Sequence, residues 1–85
     1  MNLEIRLVEW VDSSSIHGWQ PYKEQRTLEP DRCCTAGFVI KETDDYVTLV
    51  LSHTNRKDSD DESANGSIVI PKVAITKMQT IRKAT

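Results

Sequence analysis

The stretch WVDSSSIHGWQPYKE, residues 10–24, gathers both tryptophans of the chain, one of its two histidines and one of its two tyrosines. Asp12, Ser13, Ser14, Ser15 and His17, with Glu9 just before them, are the residue types of a nucleophile, a base and an orienting carboxylate. Crowding along the chain is not triad geometry, and no glycine-flanked nucleophile elbow is present, so the chain is read as non-enzymatic. The same residues suit binding. Trp10, Trp19 and Tyr22 offer flat faces on which a base or a partner side chain stacks, and such stacking supplies roughly 1–3 kcal/mol per base. Asp12, Ser13 and His17 offer hydrogen bonds, while Arg26 and Arg32 offer the forked donors that recognise phosphate. A second reading of the stretch stays open, in which the aromatics fold back as a lid on the core.

Cys33 and Cys34 are the only cysteines and are adjacent, so on an extended segment their side chains point to opposite faces. Zinc sites space their thiolates by two to four residues and need further ligands, for which only His17 and His53 remain. No metal and no cofactor is expected, and both thiols are read as reduced. Asp58, Asp60, Asp61 and Glu62 lack the ligand order and central glycine of a calcium loop and read as a solvated acidic tip.

With 85 residues, 38% hydrophobic and 28% charged, the chain reads as one small folded domain over 1–82 with a tail at 83–85. At this size folding hides only roughly 60–65% of the unfolded surface, which leaves a thin core and little room for a buried pocket. No apolar run approaches the roughly 20 residues of a membrane span, and MNLEIRLVEW lacks the order of a signal peptide, so a cytoplasmic protein is expected. The net charge of −2 hides an asymmetry. Residues 33–66 carry three cations against seven carboxylates, a net −4, whereas residues 67–85 carry only Lys72, Lys77, Arg82 and Lys83, a net +4. Mild overall acidity argues against a dedicated duplex-DNA binder.

Leu3, Ile5 and Leu7 alternate with polar residues as on a half-buried strand, and Val8 and Trp10 then take the opposite phase, which predicts a bulge or a strand covered on both sides. Residues 11–32 hold no period and read as a long ordered loop, with room for a short hairpin. In CCTAGFVIKETDDYVTLVLSHTN, one face carries Cys34, Ala36, Phe38 and Ile40, and a turn at residues 42–45 leads to Val47, Leu49 and Leu51 facing inward. Gly37 inside a strand marks a bend where a sheet curls. Residues 54–66 read as a mobile acidic hairpin loop ending in Asn65-Gly66. A strand at SIVIP, a helical turn at Lys72-Val73-Ala74 and a last strand from Ile75 to Ile81 complete the chain.

This order, and GSIVIPKVAITKMQTI and AGFVIKETDDYVTLVL in particular, resembles the small five-stranded barrels of SH3-like and Sm-like type. The resemblance implies an all-β barrel with a long loop after the first strand and a short helical turn before the last. It brings no function, because neither the SH3 peptide-binding residues nor the Sm RNA-binding pairs occur in this sequence. WVDSSSIHGW, GFVIKE and IPKVAI together also look like small uncharacterised proteins of tailed bacteriophages. The expectation is then a phage-type binding protein in the host cytoplasm, capturing a small anionic nucleotide-like ligand or blocking a host defence protein. A homo-oligomer is expected, with Val69 or Met78 outward at the interface. The alternatives are an Sm-like single-stranded nucleic-acid binder and a purely structural or protein-interaction module.

Overall fold

The computed structural model describes residues 3–54 and 62–85. Five antiparallel strands, β1 (Ile5–Asp12), β2 (Asp31–Glu42), β3 (Tyr46–His53), β4 (Ala64–Pro71) and β5 (Ile75–Arg82), form a single sheet in the order β4-β3-β2-β1-β5. A one-turn helix, α1 (Tyr22–Gln25), lies between β1 and β2, and a 3-10 turn (Lys72–Ala74) lies between β4 and β5. The fold is therefore mostly β, with the helical turn where Pro71 and the alternation after it place it. The sheet is open: among the described residues no ladder joins β4 to β5, so they are its two edges.

The core nevertheless forces the sheet to curl. Val8 of β1, Val47 and Leu49 of β3 and Ile70 of β4 form one buried cluster, against which Trp10, Val39, Ile68, Ile75 and Met78 pack. β1 and β4 stand three positions apart in the sheet, which at about 4.8 Å per position would separate Val8 from Ile70 by about 14 Å if the sheet were flat. Gly37 permits the bend. A Cβ there would lie 2.9 Å from the Val50 carbonyl oxygen and 3.1 Å from Leu49 Cβ, so β3 presses on β2 where only glycine fits.

Several sequence expectations change. Residues 11–32 are not all loop, because β1 and β2 stay paired out to Asp12 opposite Asp31, which places Val11, Asp12, Asp31 and Arg32 on strands and leaves residues 13–30 as the connection. The short hairpin allowed for in that loop is instead α1. β1 is half-buried on both sides, with Val8 its fully buried residue, and the expected irregularity lies opposite Glu9 and Trp10, where Thr76 is extra in β5 and donates its hydroxyl to Glu9 O at 3.1 Å. Leu51 does not point into the core. It is 70% exposed, because the residue across from it on β4 is Gly66, which has no side chain to cover it. Ile40 is also exposed: the β2–β3 register shifts between Val39 and Lys41, so Val39 takes the inward place. Met78 packs on the core rather than outward, while Val69 is exposed as expected. β4 begins at Ala64, so Asn65 and Gly66, the latter at φ +71°, belong to a strand and not to the loop. The acidic tip read at Asp58, Asp60 and Asp61 lies outside the described residues.

An ionic cluster closes one end of the core. The Arg6 guanidinium, 15% exposed, contacts Glu4 Oε1 at 2.8 Å and Glu42 Oε1 at 2.9 Å, and Lys72 Nζ reaches Glu42 Oε2 at 3.1 Å. Thr80 Oγ1 donates to Glu4 Oε1 at 2.7 Å. The hydrogen bond from Arg6, then that from Lys72, pushes the Glu42 carboxyl down to about 2, and the bonds from Arg6 and Thr80 lower Glu4. The network ties β1, the end of β2, β5 and the 3-10 turn together, and its hydrogen bonds favour the charged form of both carboxylates.

Candidate functional site

Residues 13–30 form a projecting tip carried on the paired ends of β1 and β2. The molecule measures 59 × 25 × 20 Å, and the 12 residues of β2 alone can run about 40 Å. The tip's backbone is hydrogen-bonded internally. Pro21, at φ −58°, leads into α1, and its carbonyl accepts from the N–H groups of Glu24 at 3.1 Å and Gln25 at 3.2 Å. Gln25 Nε2 donates to Gln20 O at 3.0 Å, Thr27 Oγ1 donates to Glu24 O at 2.6 Å, and Ser14 Oγ donates across the neck to Glu29 O. Gly18 turns the chain at φ +93°, a conformation that side chains resist.

The expected binding residues divide into separate groups. Trp10 is half-buried on the core side of β1, packs on the core cluster and donates from Nε1 to Thr35 Oγ1 at 2.9 Å. Trp19, at 102% of the reference exposure, and Tyr22, at 81%, stand out in water on the tip. Neither the lid nor a shared aromatic cleft is formed, because eight residues, the last six of them in the projecting tip, separate the half-buried indole from the exposed one. Arg26 lies over the Tyr22 ring, 6.0 Å from its centroid. Asp12 Oδ1 accepts from the Ser13 N–H at 2.8 Å, and Ser15 Oγ is 3.5 Å from His17 Nε2. Asp12 is thus engaged with Ser13 and Ser14 with Glu29, so these groups do not line up as nucleophile, base and orienter.

Arg32 lies at the base of the tip in an open groove of about 470 Å³, shared with Glu9, Trp10, Val11, Cys33, Cys34 and Thr76. Pairing of Glu9 with Cys34 and of Val11 with Arg32 puts those four residues on one face of the sheet, opposite the face to which Trp10 and Cys33 belong. Strand alternation thus directs the Arg32 side chain and the Trp10 indole to opposite faces of the sheet at the groove that both residues line. Cys33 is half-buried, Cys34 is exposed, and both are free. His53 is a half-buried rim residue standing edge-on to Phe38, with ring centroids 4.7 Å apart.

Two surface residues escaped the sequence reading. Ile16 and Leu28 are 43% and 41% exposed and sit on the same tip as Trp19 and Tyr22. The signal that could have found them was their apolar character in an otherwise polar loop. Among the described residues no helix is long and apolar enough to cross a membrane. Comparison with protein-family models, curated proteins and solved structures found no match.

Proposed function

We propose that this chain is a non-enzymatic binding protein, built on a small SH3-like or Sm-like barrel, that grips a partner protein with the tip between β1 and β2. One observation carries the reading: an internally hydrogen-bonded loop holds Trp19, Tyr22, Ile16 and Leu28 out in water. Rigid aromatic side chains cost little entropy to immobilise and dominate interface energetics, so a fixed loop that keeps a tryptophan out of its own core is suited to fill a pocket on another protein. Arg26 over Tyr22 and the nearby Lys23 supply the polar rim such contacts need. Capture of a small nucleotide draws less support, since Trp19 faces water on every side and Trp10 faces the core. The resemblance to small proteins of tailed phages makes a host protein the partner class, and blocking it the outcome.

The test is a photo-crosslinking amino acid at position 19 in the cells that express the protein, with the same probe at Lys77 as control. The reading expects one discrete protein adduct from position 19, lost when Tyr22 and Leu28 are changed to Ala. Equal adducts from both positions would overturn it, as would a nucleotide or nucleic acid retained by the purified chain in native mass spectrometry.

A further inference from the structure

The two edges of the sheet differ in how they are guarded. Natural sheets blunt a free edge with charged side chains, because its unpaired N–H and C=O groups otherwise recruit another strand. β5 follows that practice, carrying Lys77 and Arg82 within ITKMQTIR. β4 does not: its eight residues, ANGSIVIP, include no charge at all. Val69 on β4 is 56% exposed on one face of the sheet and Leu51 on the neighbouring β3 is 70% exposed on the other, so an apolar side chain flanks this uncharged edge on each face. Among the described residues no strand pairs with it.

We propose that β4 is a homodimerisation edge, pairing antiparallel with β4 of a second copy so that one sheet runs through both molecules. Charge at the strand's two ends points to a second copy rather than an unrelated peptide. Glu62 lies just before β4 and Lys72 just after it, where Lys72 Nζ, 32% exposed and 3.1 Å from Glu42 Oε2 of its own chain, can be shared with a second carboxylate. In an antiparallel two-fold pair centred on Ser67, Glu62 of each copy comes opposite Lys72 of the other, so the strand complements itself twice. The uncharged centres meet each other, and no like charges are brought together. Two tips per particle would follow, although the proposal stands independently of what the tips bind.

Native mass spectrometry and light scattering across a dilution series test it with three chains: wild type, V69K and E62K. Wild type is expected as a two-chain particle. V69K restores an edge charge and is expected as a single chain. E62K sets lysine against Lys72 of the second copy and is expected to raise the dissociation constant roughly fivefold or more. Circular dichroism establishes that each variant is folded, and E62K, altered outside the sheet, serves if V69K is not. A wild-type chain that stays single at every concentration overturns the proposal, and so does a dimer whose stability neither substitution changes.

Discussion

Gly37→Ala probes the curl of the sheet at the point where it is tightest. Gly37 has no left-handed φ, so an alanine there meets no backbone penalty and the cost is steric alone. The added methyl would fall 2.9 Å from the Val50 carbonyl oxygen and 3.1 Å from Leu49 Cβ, against ordinary contacts of 3.4–4 Å. Val50 and Leu49 are themselves buried, so relief requires β3 to shift as a unit rather than one side chain to turn. Overpacking of this kind costs about 1–3 kcal/mol, whereas restricting the unfolded chain by Gly→Ala returns about 0.4–1 kcal/mol. The net expectation is a loss of about 1–2 kcal/mol. Urea unfolding reads it as a midpoint lowered by about 1–2 M with the slope unchanged, taking a slope near 1 kcal/mol/M for a domain of this size. Gly18→Ala is the contrast: nothing lies within 4 Å of its Cβ, and the φ of +93° alone sets its cost. A Gly37→Ala chain as stable as wild type would refute the close approach of β2 and β3.

The Glu42 carboxyl, pushed down to about 2 from an ordinary 4.5, contributes stability that is fully present above pH 4.5 and fades as pH falls toward 2. The gap corresponds to about 3 kcal/mol, which 32% side-chain exposure reduces to about 1–2 kcal/mol; Glu42→Gln should lose that amount at pH 7 and almost none near pH 2, as urea midpoints at both pH values will show. Thr35→Val removes the acceptor of the Trp10 indole N–H and should cost about 1 kcal/mol in the same assay. Trp19→Ala should leave stability within about 0.5 kcal/mol of wild type, because the side chain buries nothing in the free chain.

The strands were legible in the sequence where one physical signal dominated. Thr43, Asp44 and Asp45 turn the chain between β2 and β3 because the Thr43 hydroxyl accepts from the N–H groups of both Asp45 and Tyr46 at 3.1 Å, a local bond any Thr-Asp-Asp run suggests. Pro71 likewise ended β4 and announced the turn after it. Phase was harder to read. Arg6 and Glu4 occupy the β1 face that leads to Val8, so a charged cluster at the core's end reverses the polarity rule that picked out Leu3, Ile5 and Leu7. Ile40 and Leu51 lost their inward places to a register shift and to a glycine partner, neither of which alternation encodes. The site was half legible. Unusual residue types drew attention to 10–24 and alternation already put Trp10 on the first strand, but Asp12 and Arg32 look like loop residues, and only the pairing of Val11 with Arg32 and Asp12 with Asp31 reveals how far the strands carry the tip.

Iodide quenching of tryptophan fluorescence tests the central claim, that the tip holds Trp19 free of the sheet. In Trp10→Phe the only indole is Trp19, and in Trp19→Phe it is Trp10. The account predicts quenching of Trp19 as rapid as that of a free indole in solution, with Trp10 markedly protected. Equal protection of the two indoles would contradict it.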